Sequence, residues 1–247
     1  MGHLTDQMTV VTGGSRGIGA AIVRRLVAAG ARTVIAGGSA EAAHALVAEL
    51  GDEKTCRYVA HDVASEESWN ALVAQVLADY GRIDGLVNNA GIYRPGDDLL
   101  STATSNFDDH YRVNQLGVFL GMRAVAAPMV EAGRGSIVNV ASIASHRAYP
   151  NQIGYSTSKW AVRGMTKCAA VELGRHGVRV NSVHPGFIDT SMLDVISDEF
   201  NDAAIAATPF GRRGEPAEIA DAVCFLISPE SRFVTGAELV VDGGLAA

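Results

Sequence analysis

Short apolar runs alternate with helix-length amphipathic stretches from one end of this sequence to the other, and that alternation leaves few folds open. The runs are Met8–Val11, Thr33–Ala36, Cys56–Ala60, Ile83–Asn88, Ser136–Ala141, Val178–Val183 and Glu238–Val241. Between them, residues 20–29, 40–50, 66–80, 106–131, 155–173 and 215–227 carry helical patterns. Ser65 is placed to cap the third helix, with Glu66 and Glu67 in its first turn, and Pro216 stands at the first position of the last. Strands that are apolar throughout must be covered on both faces, which requires a parallel sheet between helix layers. The expected fold is α/β: a doubly wound parallel sheet of about seven strands, formed by residues 1–247 as a single domain. Two connections are long, 91–105 and 185–214. Long loops in compact domains tend to carry function, and ligands in such sheets bind beyond the carboxyl ends of the strands. The second connection, from about residue 186 to 214, is the expected substrate loop.

Composition narrows the class of function. The 247 residues are 48% hydrophobic and 19% charged, enough for a sizeable core. A net charge of −7 argues against a nucleic-acid or anionic-membrane surface. Cys56, Cys168 and Cys224 are far apart and form no metal-ligand or disulfide pattern, so a reducing compartment is expected and no metal. No leader and no membrane span are expected either, which together give a soluble cytoplasmic protein.

Two local patterns carry chemistry. Gly13, Gly17 and Gly19 fall in the turn between the first strand and its helix, where glycine lets a backbone approach a ligand closely and the helix N-terminus favours phosphate. Tyr155 and Lys159, four apart on a helix, share one face. An ordinary tyrosine ionises near pH 10. A cation beside it would lower that value, which suits an acid–base catalyst.

Taken together, Thr12-Gly13-x-x-x-Gly17-x-Gly19, Asn88-Asn89-Ala90-Gly91, Tyr155-x-x-x-Lys159 and Pro185-Gly186 resemble, in order and spacing over nearly the whole chain, the short-chain dehydrogenase/reductase family. The resemblance implies a Rossmann-type fold and hydride transfer between NAD(P) and a carbonyl or alcohol. It implies Tyr155 as acid–base and Ser142, thirteen residues earlier, as the hydroxyl that holds the substrate oxygen. Lys159 would lower the tyrosine pKa and bind the nicotinamide ribose. Asn114 would hold a water through its backbone. The dinucleotide would lie along Gly13, Ser15, Arg16, Gly17, Ile18 and Gly19, with Asp62 and Val63 at the adenine and Asn89, Ala90 and Gly91 beside the ribose. Pro185, Gly186, Ile188 and Thr190 would meet the carboxamide. His146, Tyr149 and Gln152 would line the substrate cleft, His146 as a wall and not a catalyst. Phe187, Met192 and Phe200 belong to an apolar set that forms either a lid or an ordinary amphipathic helix.

The place about 20 residues past the glycine turn, where an NAD enzyme keeps an acid, reads Ala36-Gly37-Gly38-Ser39. With Arg16 in the turn and Gly38 and Ser39 as room and donor, NADP(H) is favoured and NAD(H) is the alternative. The expected substrate is a ketone or secondary alcohol, with lipophilic, cyclic or hydroxysteroid-like compounds slightly preferred. Alternatives are a 3-oxoacyl-carrier-protein reductase and a nucleotide sensor without catalysis. Family members pair through the 106–131 and 155–174 helices and again through the last strand, so a homotetramer, or a homodimer, is expected. Val118, Leu120, Met122, Val125, Met165 and Ala169 are the candidate surplus apolar residues on those helices.

Overall fold

In the computed structural model, which describes residues 4–51, 54–96 and 98–247, seven parallel strands form one sheet in the order β3-β2-β1-β4-β5-β6-β7. The strands are β1 (Met8–Thr12), β2 (Arg32–Ala36), β3 (Cys56–Val59), β4 (Gly85–Asn88), β5 (Gly135–Val140), β6 (Val178–Pro185) and β7 (Glu238–Val241). The chain winds outward from β1 to β3, then returns to place β4 on the other side of β1. That reversal opens a crevice at the carboxyl ends of β1 and β4, which is where such sheets bind ligands.

Helices α1 (Gly17–Ala28), α2 (Ala40–Leu50), α3 (Glu66–Tyr80), α4 (Thr104–His110), α5 (Gly117–Glu131), α6 (Ile153–Gly174), α7 (Asp198–Ala207) and α8 (Pro216–Ile227) complete the fold. Period-two alternation sends neighbouring strand residues to opposite cores. Val11, Val87 and Val138 join Ile22, Leu26 and Ile219 on one side. Val10, Leu86 and Ile137 join Trp69, Val125 and Val162 on the other. A π-helical turn, Tyr111–Leu116, links α4 to α5 and contains Asn114. Such turns mark functional sites more often than chance would place them there.

Three sequence expectations change here. The 185–214 connection, expected as a long loop whose apolar residues form either a lid or a helix, contains α7 at residues 198–207. Its cues were in the sequence: Ser197 accepts from Phe200 N, and Asp198 and Glu199 fill the first turn. Second, Val118, Leu120, Met122 and Val125 are core residues, and Met165 and Ala169 pack against that core. The apolar surplus on these helices is instead Phe107, Phe119, Trp160 and Val171. Third, the continuous helix 104–131 is long and apolar enough, by length and composition alone, to cross a bilayer. In the fold it packs on α3, α6, β4 and β5, and those contacts account for its apolar character.

Candidate active site

A cleft of about 560 Å³ lies at the carboxyl ends of the strands and spans the β1–β4 crevice. That volume suits a ligand of cofactor size. The glycine turn forms its floor. A Cβ at Gly19 would press on the carbonyl of Gly13 and stand 2.6 Å from Asn89 Nδ2, so only glycine fits there. The Asn89 amide donates to the carbonyls of Thr12 and Gly13, while Thr12 Oγ1 accepts from the backbone of Asn89 and Ala90. These bonds lock the end of β4 to the turn after β1.

The start of α1 is open to an anion. Its N-cap, Arg16, makes no side-chain cap and its first turn holds no acid. The free N–H groups and helix dipole there favour phosphate. Ser15 Oγ, in the same turn, is buried without a hydrogen-bond partner. Opposite, Thr190 leans over the turn, its Cγ2 lying 3.3 Å from where a Gly17 Cβ would be. An orphaned hydroxyl, an uncapped helix and a floor that excludes side chains together fit a dinucleotide pyrophosphate. Arg16, Arg94 and Lys159 line the cleft and no carboxylate does so among the described residues.

At the inner end, Ser142, Tyr155 and Lys159 converge. Ser142 ends the segment after β5 and caps a short 3-10 turn, its Oγ accepting from Ala144 N at 3.1 Å. That leaves the hydroxyl proton free to donate. The carbonyl of Ser142 accepts from Ser145 Oγ and faces His184 Nδ1, which fixes the serine backbone. Lys159 is 5% exposed and donates to the carbonyl of Val140 at 2.9 Å. Its Nζ lies 5.8 Å from the centre of the Tyr155 ring.

The electrostatics differ from the sequence expectation. Burial pushes the Tyr155 phenol above its usual range, and the Ser142 hydroxyl only partly opposes it. Burial also brings the Lys159 ammonium down to about 8. Desolvation is the largest cause for both groups. Tyr155 is therefore protonated at neutral pH.

Asn114 is fully buried and bonds Ile92 twice: Oδ1 accepts from Ile92 N at 2.8 Å and Nδ2 donates to Ile92 O at 2.9 Å. It braces the strand-to-helix connection from behind the cleft wall. Gly13, Ser15, Arg16, Gly17, Ile18, Gly19, Gly38, Asn89, Ala90, Gly91, Pro185, Gly186, Ile188 and Thr190 all line the cleft. Ser39, Asp62 and Val63 do not. Ser39 Oγ caps α2 by accepting from Ala42 N. Asp62 Oδ1 accepts from Ala64 N in a turn, and the Val63 carbonyl accepts from Trp69 Nε1. Gly37 has φ +72° and a Cβ there would lie 2.7 Å from the carbonyl of His61. This strand end thus cannot take a side chain without strain.

A smaller cavity of about 70 Å³ opens beside Ser142 and Tyr155, lined in part by Tyr149, Gln152, Phe187 and Met192 as expected. His146 is not among its walls. It meets His184 at 3.0 Å and Glu238 at 3.6 Å, with burial lowering both imidazole pKa values, so it belongs to the packing behind Ser142. Tyr93 and Leu193 complete the cavity. Tyr93 lies two residues past the Asn89-Ala90-Gly91 segment, the one cue that could have found it. Of the apolar set after Pro185, Phe187, Met192 and Leu193 line the cavity, while Phe200 on α7 meets the Phe187 ring at a tilt, with centroids 5.9 Å apart.

Comparison with known proteins agrees with this geometry. Residues 13–246 match a family model described as Enoyl-(Acyl carrier protein) reductase. The chain is 44% identical over 246 residues to a 3-alpha-(or 20-beta)-hydroxysteroid dehydrogenase of Mycobacterium tuberculosis, covering all of this chain and 92% of that one. It is 41% identical over 252 residues to a cyclopentanol dehydrogenase of Comamonas testosteroni, covering all of both chains. The crystal structure of levodione reductase superposes with a TM-score of 0.94 at 35% identity, covering 98% of each chain. With the glycine turn, the Ser142–Tyr155–Lys159 cluster and these likenesses over the whole sequence, the chain belongs to the short-chain dehydrogenase/reductase family and is an NAD(P)-dependent oxidoreductase of secondary alcohols and ketones.

Proposed function

We propose that the protein interconverts a cyclic or otherwise lipophilic ketone and its secondary alcohol, with NADP(H) preferred. The observation that carries this reading is that Ser142 and Tyr155 line a mostly apolar cavity continuous with the dinucleotide cleft. The relatives named for steroid and cyclopentanol substrates support a ring compound. When bound, the nicotinamide supplies or accepts the hydride. The chain's own residues do the rest. Ser142 donates its free proton to the substrate oxygen, and Tyr155, protonated at neutral pH, gives that oxygen its proton in the reductive direction. Lys159 keeps two N–H groups beyond its bond to Val140 for the ribose side of the cleft. Asn114 holds the 92 backbone in place, and Arg16 is the proposed partner of a 2′-phosphate. Turnover of a panel of ring ketones, read from loss of reduced-nicotinamide absorbance, tests the reading; no turnover of any of them would refute it.

The raised Tyr155 pKa fixes the direction of the pH profile. Reduction needs the phenol and the charged Lys159, so it is level through neutrality and declines as the lysine, at about 8, and then the phenol lose their protons. Oxidation needs the phenolate and climbs with pH. Rates in both directions between about pH 6 and 10, at saturating cofactor, check this. Oxidation that slows from neutrality to pH 9 would contradict the assignment.

The assembly we propose is a homodimer through α5 and α6, doubled to a tetramer through β7. Phe119, Trp160 and Val171 are 43%, 46% and 82% exposed on those helices. An apolar face of that kind favours burial, and β7 ends the sheet with an open edge. Light scattering is expected to give a dimer or tetramer at micromolar concentration, and a stable monomer would end the idea. Three free thiols support a reducing, cytoplasmic location.

A further inference from the structure

We propose that Tyr93 and Gln152 form a second polar anchor in the substrate cavity, one that selects ring ketones and alcohols bearing a second oxygen; this rests on the ketone–alcohol reading above. Both side chains line the cavity that holds Ser142 and Tyr155. The Gln152 amide meets Tyr93 Oη at 2.8 Å. The remaining walls include Ile143, Phe187, Met192 and Leu193, which offer a ring only apolar contact.

The pair has bonding capacity to spare. With Gln152 Nε2 donating, the phenol proton has no acceptor among the described residues, and Gln152 Oε1 stays free. With the amide turned over, the phenol donates to Oε1, both N–H groups stay free, and the phenol oxygen can still accept. Either assignment leaves at least one donor and one acceptor. A hydroxyl matches both and a carbonyl oxygen matches the donor. Burial pushes the Tyr93 phenol up to about 12, so it stays a neutral donor at any working pH.

The anchor is also held in place. Asn114 bonds both backbone groups of Ile92, just before Tyr93. His110 Nε2 accepts from the backbone of Arg94, just after it, while Nδ1 of the same ring bonds the carbonyl of Asn106. The Tyr93 ring rests edge-on against Tyr155 with centroids 4.9 Å apart. A phenol fixed on both sides of its backbone and set edge-on against the tyrosine next to Ser142 sits at a set distance from the reacting carbon. It can therefore distinguish where on a ring the second oxygen lies. Tyr149 lines the same cavity, but its hydroxyl is enclosed and has no partner, so a substrate does not reach it.

The test compares oxidation of cyclohexanol with that of its three regioisomeric diols by the wild type, Tyr93→Phe and Gln152→Met. The wild type is expected to favour one diol over cyclohexanol, chiefly through KM. Tyr93→Phe keeps the ring against Tyr155 and is expected to cut that diol-to-cyclohexanol ratio about five- to tenfold, as loss of one neutral hydrogen bond does. Gln152→Met is expected to move the ratio the same way. If both variants leave the ratio unchanged, or if Tyr93→Phe slows cyclohexanol and the diol equally, Tyr93 only buttresses Tyr155 and the proposal is overturned. A wild type that oxidises none of the four compounds would refute the ketone–alcohol reading and this proposal with it.

Discussion

Tyr155→Phe is expected to lower kcat by about 10²–10⁴-fold, the usual contribution of a positioned acid–base group, while dinucleotide binding survives. The substitution removes one oxygen, with its contact to the Ser142 hydroxyl, and leaves the other surrounding contacts. The ring keeps its edge-on packing against Tyr93, and Lys159 keeps its bond to the carbonyl of Val140, which does not involve the phenol. Ser142 keeps its bond from Ala144 N and still presents a proton to the substrate oxygen. What is lost is the proton that the oxygen must receive. Lys159→Ala is expected to behave differently, damaging turnover and dinucleotide affinity together, because a buried cation at the junction of the two sites disappears. Stopped-flow binding of the reduced dinucleotide beside steady-state turnover separates the two patterns. Retention by Tyr155→Phe of more than about a tenth of wild-type kcat would show that another group gives the proton, since that loss falls below the range for acid–base catalysis.

The fold was largely legible because its signals are local and repeated. Continuous apolar runs between amphipathic helices can only be satisfied by a covered parallel sheet, and α2, α3 and β7 begin and end where the residue pattern puts them. The site was legible where a motif lies on one element, as Tyr155 and Lys159 do on α6. Illegible features depend on which polar groups are already occupied. Ser39 reads as part of the cleft until its Oγ is seen capping α2, outside the residues that line the cleft. His146 reads as a cleft wall until β6 and β7 bring His184 and Glu238 to it. The lysine–tyrosine spacing was right, yet its electrical consequence was not. Sequence gives the separation of two charges but not their desolvation, and here desolvation governs both groups. Val118 and Leu120 read as surplus because a helix period alone does not say how wide a face the sheet covers.

Arg16→Ala is expected to cost NADPH about ten- to a hundredfold in kcat/KM and to leave NADH nearly unchanged, since hydrogen bonds to charged groups contribute roughly 1.5–3 kcal/mol. The prediction rests on the local balance of charge. Arg16 is exposed at the mouth of the cleft with no ion-pair partner among the described residues, and the cleft wall carries no carboxylate. A 2′-phosphate would meet a free cation there and no repulsion, whereas a bare 2′-hydroxyl would find no acid to accept its proton. The converse change must respect the backbone. An acid at Gly37 looks natural from the sequence, but φ +72° and the His61 carbonyl make it strained, and lost stability would confound the kinetics. Ser39 is the better position. It has φ −74°, and aspartate caps a helix about as well as serine, so Ser39→Asp keeps the α2 cap while placing a carboxylate next to Gly38 at the cleft wall. That variant is expected to move the NADPH-to-NADH ratio toward NADH by a similar factor, and adding Arg16→Ala is expected to move it further. Steady-state kinetics with both cofactors reads the ratios directly. A wild type that prefers NADH, or an Arg16→Ala variant that harms both cofactors alike, would make Arg16 a structural residue of the glycine turn and NAD(H) the working cofactor.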